Sequence, residues 1–377
     1  MKLSCLQENL ARGLAVVGRA VASRTTLPIT NNVLLATDQA RLKLVATNLE
    51  IAITCWIGAK VEQDGAMTVP ARLVTEFVNS LPNDRMDLQV VPPGRNVQIT
   101  CARFSARIAG VDAEEFPPIP SVGEGATAQV DPQALHTAIS RVVFAAATDE
   151  TRPVLTGVHA DFNGETLTLA AADGFRLAIQ RVSLIEPAPA HTEVIIPARA
   201  LSELNRLLGE QEEPVLVTVS PNRSHVQFHL KNVELVSQLI QGTFPNYSQL
   251  VPKTYASRVV LDVAEFLRAT RTAAVFARDG SGIVRLQITP GEDLTPGKIT
   301  IEARSEEIGD NTGEIDGVVE GEPAKIAFNG RYLQDALGAL SGGKVALETT
   351  SPSSPGVLRP IGSDDYTHVV MPMFVQW

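Results

Sequence analysis

The chain has 377 residues, 44% apolar and 20% charged, enough for more than one hydrophobic core. No apolar run approaches the ~18–20 residues that cross a bilayer, and polar Gln7, Glu8 and Asn9 interrupt the N-terminus where a signal peptide stays apolar, so a soluble, cytoplasmic protein is expected. A net charge of −10 argues by itself against nucleic acid, because phosphate binding rests on Lys and Arg. Cys5, Cys55 and Cys101 are too few and too scattered for a disulfide framework or a zinc site.

In chain order, the first expected element is an amphipathic helix over 5–23. Leu6, Leu10, Leu14, Val17 and Val21 form its apolar stripe, with Arg12 and Arg19 almost opposite. The period then changes from 3.6 to 2 at Leu49, Ile51, Ile53, Cys55 and Ile57, the mark of a half-buried strand. Val69, Pro70, Ala71, Arg72 and Leu73 read as a strand entering a short helix over 70–80, and a strand follows at 87–91.

The same succession then returns. A helix over 131–147 carries the stripe Leu135, Ile139, Val142 and Ala146, with Arg141 clear of it. Alternation follows at Leu167, Leu169 and Ala171 and at Leu177 and Ile179, then Ile196, Pro197, Ala198, Arg199 and Ala200 open a helix over 197–208, with a strand at 215–219. A third helix over 262–278 buries Val263, Phe266, Thr270 and Ala273 opposite Arg268 and Arg271. Strand residues Ile299, Ile301 and Ala303, the turn Phe328, Asn329, Gly330, Arg331 and Tyr332 into a helix over 329–341, and a strand at 344–349 complete the unit.

Pro70, Pro197 and Asn329 stand 127 and 132 residues apart, and Phe116 and Phe244 stand 128 apart. A period this long is a duplicated domain and not a solenoid repeat of ~20–50 residues. The expected fold class is therefore α+β, three tandem repeats of two helices against antiparallel sheets. The domains run 1–121, 128–253 and 255–377, with Pro-rich linkers at 116–121 and 244–252. The six helical segments carry ten Arg against seven carboxylates, whereas the rest carries 22 basic against 35 acidic residues. Helices sharing one surface would make it basic inside an acidic body.

Motifs for catalysis are weak. Gly338 to Lys344 has the spacing of a phosphate-binding loop, but Val345 stands where a magnesium ligand is needed and the helix precedes the strand. It reads as a helix C-terminal glycine turn. His225 and His229 sit on an alternating run, about 13 Å apart on a strand and too far to share a metal. No GxSxG elbow and no GxGxxG follow a strand, and Asp173 with Gly174 reads as a hairpin turn. No enzyme, cofactor or metal is expected.

Four segments carry a resemblance: Ala171, Ala172, Asp173, Gly174, Phe175, Arg176, Leu177 and Ala178; Gly242 to Tyr247; Arg24 to Ile29; and Val369, Val370, Met371, Pro372 and Met373. Together they resemble the bacterial sliding clamps, the beta subunits of DNA polymerase III, over the whole chain. The resemblance implies three clamp domains in a head-to-tail homodimeric ring around double-stranded DNA, with helices lining the hole and no sequence preference. It implies DNA contacts at Arg24, Arg72, Arg152, Arg199 and Arg206. It also implies an apolar cleft that takes short peptide motifs of the replicative DNA polymerase, the clamp-loader ATPase and repair proteins. Its residues would be Leu155, Ala172, Gly174, Phe175, Arg176, Leu177, Pro245, Gln249, Leu250, Val369, Val370, Met371, Pro372 and Met373. At the ring joint, Phe104, Ala106 and Ile108 would meet Val275 and Phe276, and Arg103 and Arg107 would face Glu302, Glu306 or Glu307.

Three features depart from the family pattern. Phe175 stands where His is common and Gln249 where Arg is common, so a less basic cleft rim is expected. Pro153 and Val154 replace aromatics after Arg152, and Phe374, Val375, Gln376 and Trp377 extend the usual end, with aromatics that could fold into or beside the cleft. Two other readings use the same residues: a peptide-binding scaffold that does not touch DNA, and a hydrolase built on Asp173 and Arg176.

Overall fold

The computed structural model describes residues 1–22, 25–91, 95–123, 125–277, 282–292 and 295–377. Arg24 and Arg278, which the sequence reading places at a DNA contact and a helix end, lie outside the described residues.

The first repeat runs β1 (Lys2–Leu6), α1 (Gln7–Val17), β2 (Asn32–Asp38), β3 (Arg41–Thr47), β4 (Ile51–Gly58), β5 (Lys60–Gln63), β6 (Ala66–Pro70), α2 (Ala71–Asn79), β7 (Arg85–Val91), β8 (Asn96–Cys101) and β9 (Phe104–Ala109). The second runs β10 (Ala126–Val130), α3 (Pro132–Val142), β11 (Gly157–Asn163), β12 (Thr166–Ala172), β13 (Arg176–Ser183), β14 (Thr192–Pro197), α4 (Ala198–Leu207), β15 (Val215–Val219), β16 (His225–His229) and β17 (Val233–Gln238). The third runs β18 (Ser257–Asp262), α5 (Val263–Phe276), β19 (Ile283–Thr289), β20 (Gly297–Ser305), β21 (Gly309–Gly321), β22 (Ala324–Asn329), α6 (Gly330–Gly338), β23 (Lys344–Thr349), β24 (Gly356–Pro360) and β25 (Tyr366–Val370). The strand–helix–strands–helix–strands order therefore occurs three times.

In each repeat the second helix starts directly from a strand end, at Pro70, Pro197 and Asn329. Asn329 shows why the type suits the place: its side chain accepts hydrogen bonds from the backbone N–H groups of Arg331 (2.9 Å) and Tyr332 (3.4 Å). Asp262 caps α5 in the same way through Glu265 N–H at 3.0 Å. The buried stripes of α1 and α5 carry the expected Leu10, Leu14 and Val17 and the expected Val263, Phe266, Thr270 and Ala273. Gly13 lets α1 lie close on its sheet, since a Cβ there would stand 2.5 Å from Leu44 Cδ1. All three cysteines are buried free thiols, and burial pushes the Cys5 thiol up to about 12.

Three expectations need correction. Residues 2–6 are a strand and not the start of a helix: Leu3 and Cys5 face the core, and pairing with β5 and β7 overrides the helical spacing. Leu6 therefore stands outside the helix stripe and is 47% exposed. Leu49 is not in a strand but in the β3–β4 turn, at φ 78°, where Asn48 Oδ1 accepts from the N–H groups of Glu50 and Ile51. From Ile51 to Cys55 every residue of β4 is buried, so this strand is covered on both faces instead of one.

The chain packs as two compact units. One comprises Met1–Gln133, Leu184–Ala190 and Arg199–Leu239, and the other Ala134–Ser183, His191–Ala198 and Ile240–Trp377. The first holds a five-stranded sheet, β5-β1-β7-β8-β9, and an eight-stranded sheet, β10-β15-β16-β17-β4-β3-β2-β6. The second holds one twelve-stranded sheet, β14-β11-β12-β13-β25-β24-β23-β18-β21-β20-β19-β22. Both large sheets cross a repeat boundary. β17 of the second repeat pairs with β4 of the first, with Leu235 opposite Ile53, and β13 pairs with β25 of the third, with Leu177 opposite Val369.

At the first of these seams Leu235 and Ile53 are both fully buried. Leu235→Ala is expected to lower the unfolding free energy measured in urea by about 2–5 kcal/mol, while Gln238→Ala, at an exposed position of the same strand, stays within about 0.5 kcal/mol.

Candidate functional site

The second seam brings the residues of the expected cleft around one hairpin. The β12–β13 hairpin turns at 173–175, where Asp173 Oδ1 accepts from the N–H groups of Phe175 (2.8 Å) and Arg176 (3.0 Å), and Gly174 takes φ 94°. Below the turn, Arg176 and Leu177 pair with Val370 and Val369. Leu177, Val357 and Val369 form one apolar cluster, and Ala147, Leu155, Ile195 and Phe244 form another. Ala172 and Tyr247 pack against both. Leu155, Val369 and Val370 are buried. The rim is apolar and open: Phe175 is 55% exposed, Leu250 53% and Met371 42%, and Gly174, Pro245 and Gln249 are exposed beside them. Pro372 and Met373 are half-buried.

Arg176 has a different task from the rim residues. Its side chain is 10% exposed and donates to Asp173 Oδ2 at 3.0 Å, to Asp335 Oδ2 at 2.6 Å and to the Phe144 carbonyl at 2.7 Å. Its guanidinium lies 4.6 Å from the Tyr332 ring centroid and 5.4 Å from that of Phe144. Arg176 is thus a brace between α6 of the third repeat and the hairpin of the second. Asp173 and Arg176 are bound to each other as structural partners of the hairpin. Phe175 turns outward and stacks on Tyr332 at 6.3 Å. Tyr332 and Asp335 escape sequence reasoning because they stand some 160 residues from their partner; Tyr247 and Phe244 lie inside one of the resembling segments.

The C-terminal tail runs along the free edge of β22. Met373 N–H donates to the Ala327 carbonyl at 2.7 Å, Lys325 Nζ stands 5.5 Å from the Trp377 ring, and Phe374 is 86% exposed. Met371 N–H donates to the Phe175 carbonyl at 2.8 Å and ties the start of the tail to the cleft turn.

The basic residues divide into several settings. Arg72 is 92% exposed on α2 and pairs with Glu76 at 2.8 Å. Arg199 is exposed on α4, and Arg206 pairs with Glu203 at 2.7 Å, a carboxylate that Arg19 approaches at 3.6 Å. Arg12, Arg19, Arg206 and Lys231 line one cleft of about 480 Å³. The Nη1 of Arg152 would lie 2.9 Å from a Cβ on Gly174, which places it beside the turn at 173–175. Arg141, expected on a free helix face, is half-buried, donates to Gln180 Oε1 at 3.1 Å and covers the Tyr366 ring at 5.5 Å.

Of the expected joint residues, Arg103, Phe104 (55% exposed) and Arg107 are exposed on or beside β9, which among the described residues lies at a sheet end next to β8, and Ala106 is half-buried. Ile108 is 3% exposed and belongs to the core of its own repeat, where a partner cannot reach it. Val275 (48% exposed), Glu302 and Glu306 are exposed, and Phe276 is half-buried.

Beneath Arg176 lies His368, fully buried, stacked on Phe144 at 5.6 Å and within 3.2 Å of the Tyr366 hydroxyl. Burial, and secondarily the Arg176 charge, push its pKa down from 6.5 to about 3. The folded state therefore holds His368 neutral, and this contribution is complete above pH 6.5 and is lost as pH falls towards 3. Between pH 7 and 5.5 the wild-type unfolding free energy is expected to drop with a slope approaching about 1.4 kcal/mol per pH unit from this group. His368→Asn should flatten the profile in urea titrations.

Comparison with known proteins follows the same division into repeats. Family models of the DNA polymerase III beta subunit match throughout: the N-terminal domain at residues 1–120, the central domain at 129–246 and the C-terminal domain at 248–374. The beta sliding clamp of Synechococcus elongatus is 33% identical over 377 residues, covering 99% of each chain. The crystal structure of the Bacillus subtilis DNA polymerase sliding clamp superposes with a TM-score of 0.94 at 28% identity, covering 100% of both chains. That of the Pseudomonas aeruginosa sliding clamp bound to griselimycin gives 0.91 at 29% identity, again over 100% of both. The chain belongs to the DNA polymerase III beta subunit family, the bacterial sliding clamps.

Proposed function

We propose that two copies of the chain join head to tail as a ring around duplex DNA and hold the replicative DNA polymerase there. The clamp loader and repair proteins would use the same peptide cleft. The full-length, threefold clamp architecture carries this reading. The work is mechanical and involves no catalysis: a closed ring keeps its partner on the template without gripping it. Exposed Arg72, Arg199 and Arg206, each paired or separated from its neighbours, suit weak, sequence-independent phosphate contacts that can be passed over. Arg152 at the cleft turn and Arg24 complete the proposed DNA set. Among the described residues no helix is long and apolar enough to cross a membrane, and the proposed place of work is the cytoplasm, at the nucleoid.

The joint follows from an open sheet edge. A strand paired on one side seeks a partner, and β9 presents Phe104 beside that edge with Arg103 and Arg107 flanking it. Val275, Phe276, Glu302 and Glu306 of the third repeat are the complementary set. Exposed charge pairs contribute under about 1 kcal/mol each, so the apolar contact supplies affinity and the charges set register. The cleft takes an apolar peptide because its floor is dry and its rim is adaptable, with Leu250 and the flexible Met371 on either side.

Light scattering at micromolar concentration should give about twice the 40.3 kDa chain mass, and Phe104→Asp should return the mass to that of one chain. An unchanged mass would remove Phe104 from the joint. We assign griselimycin, the ligand of the Pseudomonas relative, to the same cleft. Leu250→Asp should weaken it at least about tenfold in calorimetry, or about 1.4 kcal/mol, and Phe104→Asp should leave it unaltered. Equal binding by wild type and Leu250→Asp would exclude the cleft.

A further inference from the structure

On one face of the β11–β14 pair, four side chains able to bind metals stand close together. Asp161 of β11 stands directly opposite Glu193 of β14 in the ladder. Like charges opposed across neighbouring strands repel, and among the described residues neither carboxylate has a lysine or arginine ion partner. Two histidines stand there instead. His191 Nε2 lies 2.9 Å from Asp161 Oδ1 and 3.3 Å from Glu193 Oε1, and the three donor atoms all fall within 4.8 Å of one another. His159 Nε2 lies 3.7 Å from Glu193 Oε2. The alternation of the strands produces the grouping: 159 and 161 share a face of β11, and 191 and 193 share a face at β14.

We infer that this cluster is a binding site for a divalent transition-metal ion, with Zn²⁺ the best chemical match. His191 Nε2, Asp161 Oδ1 and Glu193 Oε1 supply three ligands, and His159 Nε2 or a water supplies the fourth. Tetrahedral zinc with bonds of about 2.0–2.2 Å holds its ligand atoms about 3.3 Å apart, a spacing that the two His191 contacts nearly meet already. The mixed imidazole and carboxylate donors suit zinc and its neighbours and not Ca²⁺ or Mg²⁺, which require shells of oxygen. The cation also relieves the opposed carboxylates. His159 stands next to the three: its side chain is 13% exposed, and its ring stacks on Phe244 at 5.3 Å and meets Tyr247 edge-on at 5.9 Å. Both aromatics belong to the apolar groups of the peptide cleft, so the metal would sit behind that cleft's wall.

Equilibrium dialysis of the untagged full-length chain against Zn²⁺ tests the site. The wild type is expected to take up one ion per chain, and His191→Ala and Asp161→Asn should each weaken that uptake by at least about tenfold. His229→Ala, at an exposed histidine on another sheet, should bind as the wild type does. Equal Zn²⁺ uptake by the wild type and His191→Ala, or no uptake by the wild type, overturns the assignment.

Discussion

Backbone pairing across the repeat boundaries is the interaction on which the rest of the molecule depends. A repeat of this kind ends in strands whose outer N–H and C=O groups need partners, and an open edge is a liability in water. The β4–β17 and β13–β25 ladders close two such edges, merging strands of successive repeats into sheets of eight and twelve. The second ladder also creates the functional surface. Because Leu177 and Val369 face each other in register, residues far apart in sequence share one apolar surface, and the chain at Met371 lies beside the turn at Gly174. The β9 edge, like the other sheet ends, is not closed by these ladders.

Charge reinforces the same junction. Arg176 is held by two carboxylates, a carbonyl and two aromatic faces, so its desolvation is met by a full set of partners. A buried pair of this type adds little net stability over apolar packing, but removing one partner is costly. Its value lies in fixing one arrangement of the hairpin against α6. Burial first, and the Arg176 charge second, keep His368 beneath it neutral.

The repeat was legible because its markers are local: an apolar stripe, a strand ending in Pro or Asn before a helix, and a Phe-Pro turn recur at one spacing. Strand β1 was not, since Leu3 and Cys5 take their places from β5 and β7, and a helical stripe starting at Leu6 fits the sequence equally well. That the segments around Ala172 to Leu177 and Val369 to Met373 come together was legible through the resemblance, and β13 does pair with β25. Their different settings were not: Arg176 braces the hairpin on α6, Phe175 is exposed and Val370 is buried, and only tertiary packing separates them. Arg141 likewise has the spacing of a free helix face but meets Tyr366 through tertiary packing. The Asp161, His191 and Glu193 group depends on strand register, which no local pattern announces.

The central claim is topological retention on DNA, and it is tested most directly by placing the chain on nicked circular duplex with a clamp-loading ATPase, separating by gel filtration at high salt, and then cutting the circle. The account predicts co-elution with intact circles and release once the DNA is linear, because a ring slides off an end. Release from circles and linear DNA alike, or retention on both, would contradict it.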